Sequence, residues 1–214
     1  EPAMIAMNAR AELQGVAFGV IAREHLAGTA GAAGPAAGGG FWARLWGPDL
    51  ARLAAQHIGL VFISVALAVA LGVPVALAVA PHAAARTAVL GATGLLQTVP
   101  ALALLAVLIS LLGQIGTAPA LVALTLYALL PIMRNTCTGL AEVPVGLKLA
   151  ATALGLTDGQ RLRSVELPLA LPVIVAGVRT ATTIAVGTAT IAAFIGAGGF
   201  GERIVTGLAL NDRG

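Results

Sequence analysis

The sequence has little of what a soluble enzyme displays. Of its 214 residues only 10% are charged, where soluble domains carry about 25%. Its one cysteine, Cys137, excludes an internal disulfide and reads most simply as a small apolar residue. His25, His57 and His82 lie on separate segments without ligand spacing, so no metal site is indicated. Ser64 and Ser110 stand singly in apolar runs without an acidic or basic partner, which argues against a nucleophile. The net charge of +3 is too small a surplus for nucleic acid, even with a pI near 10.0. The basic residues are therefore read as topology signals. The chain opens on Glu1 and shows no basic stretch followed by an apolar core, so it reads as a piece of a longer chain rather than one beginning with a signal peptide.

What is abundant is apolar. Hydrophobic residues make up 58% and mean hydropathy is +0.96, the composition of a membrane protein. Residues 1–26 are only moderately apolar and cannot build a core alone. Residues 27–40 are Ala, Gly, Pro and one Thr, a flexible linker. Phe41, Trp42 and Trp46, with Arg44 and Arg52, suit a segment at the bilayer surface. Four spans follow, each long enough or nearly so to cross: about Ile58–Ala80, Ala88–Leu112 with Pro100 inside, Ala118–Met133, and from Pro168 to about Ile195. Prolines inside them free backbone groups that neighbouring helices must satisfy, so a packed bundle is expected. Arg86 lies between the first two spans, and Arg134, Lys148, Arg161 and Arg163 lie between the last two, while 113–117 carries no charge. The basic loops are thus cytosolic and both ends of the four-span unit external. Arg179 is expected at the cytosolic edge, its side chain reaching for water, with the true span beginning near Thr180. The glycines at 196–201 make an external or re-entrant turn. Their Gly-x-Gly-x-x-Gly pattern follows no strand and is not read as a nucleotide site.

The most informative stretch is Leu147–Pro168, a charged insert in an oily chain. Ala150, Ala151 and Gly155 form a smooth patch about a helical turn apart that lets another backbone approach. Gly155 suits a helix C-terminus, and Thr157 with Gln160 reads as a capping box opening a second short helix that Pro168 ends or redirects.

The order Ala150-Ala151, three residues, Gly155, nine residues, Val165, one residue, Leu167-Pro168 resembles the coupling-loop signature of ABC importer permeases, Glu-Ala-Ala, three residues, Gly, nine residues, Ile, one residue, Leu-Pro. Leu149 stands where that signature has its glutamate. Within the superfamily, Gln97–Ala103, Gly155–Thr157, Val165–Ala170, and 182–201 with Asn211-Asp212 look like the osmoprotectant branch, which moves glycine betaine, choline or carnitine. The likeness covers roughly 53–214. It implies an all-α, type I permease bundle with about four spanning helices present and a fifth missing after the Asn-Asp pair. It also implies a second permease copy, as homodimer or heterodimer, in a bacterial or archaeal cytoplasmic membrane. Each permease would receive a cytosolic ABC ATPase, which would hold the ATP and Mg. This chain would then be a transport subunit and no enzyme.

Residues 7–15 and 20–26 resemble the closing residues of the family's periplasmic solute-binding domain, and are equally readable as an amphipathic external helix. The resulting division is 1–26 as an external segment, 27–40 as linker, and 41–214 as a transmembrane domain with its coupling loop at 141–168. Ala150, Ala151 and Gly155 would make the ATPase contact, with Val165 and Leu167 completing the signature and Pro168 the rigid joint. Phe62, Tyr127 and Phe194 are too scattered for an aromatic cage, so selectivity is expected in the binding protein. A permease for methionine or another small solute would share the insert, and a membrane scaffold would need no ATPase.

Overall fold

The computed structural model of the chain describes residues 19–21 and 45–209. The chain divides between Pro48 and Asp49. Gly19–Ile21 are helical, and the readings of 1–18, 22–44 and 210–214 lie outside the described residues. From Leu50 the elements are α1 (Leu50–Val79), α2 (Ala83–Thr98), α3 (Ala101–Leu112), α4 (Thr117–Glu142), α5 (Val145–Ala153) and α6 (Asp158–Arg161). A π turn (Leu162–Glu166), α7 (Leu167–Ala189), a 3-10 turn (Ile191–Ile195) and α8 (Gly201–Ala209) follow.

α4 is the central helix, and small residues let its neighbours come close. Ala68, Ala128 and Ala181 meet around Ile132 where α1, α4 and α7 cross. A methyl group added at Gly177 of α7 would lie 2.8 Å from the Pro131 carbonyl oxygen of α4, and one at Gly139 2.9 Å from that of Ala170. Such backbone proximity is how helices associate where lipid offers no hydrophobic drive.

Three sequence expectations change. The second span is no straight helix: α2 and α3 meet at 102° across Val99 and Pro100. Pro100, with no N–H and a fixed φ, makes the break. The helix of the third span does not end at Met133 but runs on to Glu142, with Pro131 inside it and Arg134 within the helix. Pro131 cannot bond the carbonyl four residues back, that of Tyr127, and Gln97 Nε2 supplies the missing donor at 2.7 Å. Tyr127 returns the bond, its hydroxyl donating to the Val99 carbonyl at 2.5 Å, so the α2–α3 break is tied to α4 from both sides. Finally, Pro168 ends nothing. It sits at the start of α7, where its ring is tolerated, and α6, the π turn and α7 form one continuous helical path over Asp158–Ala189.

The turns fall at two ends. The α1–α2 turn, the end of α4 and the α5–α6 pair line one cavity together. At the other end Gly116 approaches Gly196, and the glycine loop of 196–201 folds onto the start of α1. The bent pair therefore begins at one end and finishes at the other, as one broken crossing. At the glycine-loop end Gln56 Oε1 accepts from the Gly199 N–H at 3.2 Å, and a methyl at Gly201 would strike the Thr190 carbonyl. Two crossed ion pairs lock α8 to α1: Arg52 with Glu202 at 2.8 Å and Arg203 with Asp49 at 2.9 Å.

Candidate functional site

The stretch singled out in the sequence forms a two-helix projection at the basic end of the bundle. α5 closes through paired backbone bonds, Gly155 N–H to Thr152 O at 2.9 Å and Leu156 N–H to Ala151 O at 3.1 Å, with Gly155 at φ 84°. This is the Schellman closure, and it needs a residue at ease with positive φ. Thr157 then opens α6 with the expected capping box: Gln160 N–H reaches the Thr157 hydroxyl, and the Thr157 N–H reaches Gln160 Oε1 at 2.9 Å. The chain thus reverses between the two short helices at Leu154–Thr157.

The predicted contact residues divide by exposure. Ala150 and Gly155 are exposed and face outward, as does Pro168. Ala151 does not: it is 5% exposed and belongs to the inward face of α5, which corrects the expectation that it offers itself to another chain. Val165 and Leu167 are half-buried where the π turn enters α7, and Leu167 packs toward Leu140 and Ala170. What surrounds Ala150 and Gly155 is apolar. Val145, Leu149 and Leu154 are 69%, 65% and 81% exposed, a patch of side chains no soluble surface would leave uncovered without use. Leu149, the residue in place of the signature's glutamate, is part of that patch. Sequence reasoning passed over Leu154 and Val145, although apolar residues in the chain's most polar stretch were a signal.

It also missed the brace behind the patch. Glu166 is buried at the π turn, where Arg161 Nε donates to one oxygen at 2.7 Å and Lys148 Nζ approaches the other at 3.2 Å. Lys148 also donates to the Leu140 carbonyl at the end of α4, at 2.9 Å, and Arg161 pairs with Asp158 at 2.9 Å. One carboxylate therefore joins α5, α6 and the head of α7, and through Lys148 reaches α4. The π turn explains how: its wider winding turns Glu166 inward without interrupting the helix. Beside the brace is a cavity of about 480 Å³, lined also by Arg86 and Cys137. The brace thus links the projection carrying the exposed patch to both α4 and the head of α7.

Known proteins are similar to this chain over most of its length. The model of the family described as binding-protein-dependent transport system inner membrane component matches residues 68–213. The osmoprotectant import permease protein OsmW of Salmonella typhimurium is 47% identical over 76% of this chain and 78% of its own length. The glycine betaine/carnitine/choline transport system permease protein OpuCB of Bacillus subtilis is 42% identical over 77% and 75%. Among solved structures, an inward-facing conformation of the MetNI methionine ABC transporter superposes with a TM-score of 0.66 at 28% identity, covering 74% of this chain and 79% of that one. With a broken four-span bundle, a braced apolar projection at its basic end and a family match over more than half its length, this chain belongs to the binding-protein-dependent transport system inner membrane components.

Proposed function

We propose that the chain is the permease subunit of an ATP-driven importer for quaternary ammonium osmoprotectants such as glycine betaine, choline or carnitine. It works in the bacterial cytoplasmic membrane beside a second permease copy and is fed by a periplasmic solute-binding protein. The observation that carries the coupling role is the apolar projection around Ala150, Leu154 and Gly155, braced through Glu166 to α4 and α7. A cytosolic ABC ATPase that closes on ATP would shift this projection, and the brace would pass the shift to spans able to adopt two arrangements. Hydrolysis and its Mg belong to that partner. The solute class is supported by the names of relatives at 42–47% identity. A methionine permease is supported by the fold likeness alone, at lower identity.

The test is copurification with the cognate ATPase followed by radiolabelled glycine betaine, choline and methionine uptake in proteoliposomes. Leu154→Glu should abolish ATPase capture, and wild-type uptake should be ATP-dependent for a quaternary ammonium solute and absent for methionine. Capture that survives the charge at 154 refutes the docking assignment, and methionine uptake refutes the solute class.

A further inference from the structure

The bend between α2 and α3 does more than redirect the chain. At Val99 and Pro100 the backbone leaves the helix between the two halves of one crossing, and such irregular backbone persists where it is buried in protein or lines a wet cavity. A cavity of about 320 Å³ opens beside it, walled by Gln97 of α2, Val99, Ala101 of α3, Tyr127 of α4, and Ile184 and Thr188 of α7. That is the size of a small-ligand pocket. Val99, Ala101 and Ile184 make its walls apolar, and no lining residue is charged.

The bonds that hold the bend use up only part of the polar lining. Gln97 Nε2 donates to the Tyr127 carbonyl and the Tyr127 hydroxyl to that of Val99, whereas Gln97 Oε1 accepts from no described residue. Thr188 is the odd threonine of α7. Thr180, Thr182 and Thr183 each donate to the carbonyl four residues back, while the Thr188 hydroxyl makes no hydrogen bond with a described residue. Both side chains are half-buried. A lipid chain lying against them would leave an acceptor and a hydroxyl unsatisfied, so the cavity suits a polar guest better than a lipid tail.

We infer that this cavity is a solute site on the transport path and that it takes a quaternary ammonium compound. Such a head has no N–H to donate, and its charge is spread over methyl groups that lie against aromatic rings and oxygen acceptors. The Tyr127 ring and Gln97 Oε1 supply these, and the Thr188 hydroxyl is left to donate to the carboxylate or hydroxyl at the solute's other end. With no carboxylate in the lining the hold is weak, which suits a site that must release what it takes. A break in a crossing helix is a recurrent place for such sites. This deepens the transport reading and rests on it.

Two measurements on the assembled transporter in proteoliposomes decide it. In a Cys137→Ala background, Thr188→Cys should react with a trimethylammonium-bearing methanethiosulfonate supplied on both sides. Excess choline or glycine betaine should slow that reaction at least about threefold, the uncharged tert-butyl analogue of choline should slow it little, and the rate at Gln114→Cys should not respond. No reaction at 188, no slowing, equal slowing by charged and uncharged compounds, or a disulfide forming there between permease copies overturns the inference. In the second, Thr188→Val, which breaks no bond within the described chain, should lower glycine betaine and choline uptake at saturating solute at least about fivefold. ATPase capture and melting temperature should not change, and Thr188→Ser should recover most of the uptake. Undiminished uptake, or a loss that serine does not recover, overturns it. A wild type that carries no quaternary ammonium solute removes the transport reading, while protection of Thr188→Cys still judges the site.

Discussion

Two glycines show how differently the same substitution acts within one chain. At Gly155 an added methyl would meet nothing within 4 Å, so the cost is the backbone angle alone, roughly 1–2 kcal/mol for a residue with a Cβ. We expect Gly155→Ala to speed hydrogen exchange at the amides of 154–156 and to lower the melting temperature of the purified protein by a few degrees. At Gly177 the backbone is ordinary, but the methyl would fall 2.6 Å from Asn135 Cβ and 2.8 Å from the Pro131 carbonyl oxygen. Neither neighbour is the free end of a flexible chain. Gly177→Ala should therefore push α4 and α7 apart and cost about 1–3 kcal/mol, seen as a lower melting temperature. It also follows that Gly155→Glu is a poor probe of docking, since it disturbs the helix end as well as the surface. Leu154→Glu leaves the Schellman closure intact.

Among the elements, α5, α6 and the π turn act as one body because Glu166 holds two cations. Replacing it by leucine would leave Lys148 and Arg161 partly buried without their partner, which is costlier than never having had the pair. We expect Glu166→Leu to keep ATPase binding, since the outward patch is untouched, but to lower uptake per ATP hydrolysed. Retained stoichiometry would show that the brace carries no load. How much of this arrangement was legible in the sequence depends on range. The helix end at Gly155 and the capping box at Thr157 are local bonds between near neighbours, and their residue types announce them. The brace joins residues eighteen apart through a π turn that no residue preference signals. Hydropathy found four crossings because it senses length and apolarity, but it is blind to angle and missed the bend at Pro100. It also ended the third span at Met133, before the charge of Arg134, whereas the helix continues to Glu142.

For the whole molecule, the two ends make opposite demands. Single cysteines in a Cys137→Ala background should report the four crossings: Gln114→Cys labelled by an impermeant thiol reagent from outside intact cells, Gly159→Cys only after the membrane is opened. Labelling of both from one side would undo the topology. At the glycine-loop end, the hydrogen bond from Arg203 holds Asp49 below the usual carboxylate range, and that from Arg52 does the same for Glu202. Because both folded values are lowered, the clamp is fully present above the ordinary carboxylate values of about 4 and is lost as pH falls through the lower folded ones. The pairs are half-exposed, so salt should weaken them as well. The protection of α8 amides, taken relative to the exchange of an unstructured peptide at the same pH, should therefore fall in strong acid or high salt and stay flat through neutral pH. A loss of that protection near pH 7 would point to another group.

The bond from Gln97 to the Tyr127 carbonyl makes two prolines interdependent. Pro131 opens a carbonyl on one helix, and the residue that fills it stands just before the kink that Pro100 imposes on another. Pro131→Ala, which by helix preference alone should be an improvement, would give the Tyr127 carbonyl its own donor back and strand the Gln97 amide among apolar neighbours. The harm of that change should shrink when Gln97→Leu accompanies it, so neither position can drift without the other keeping step.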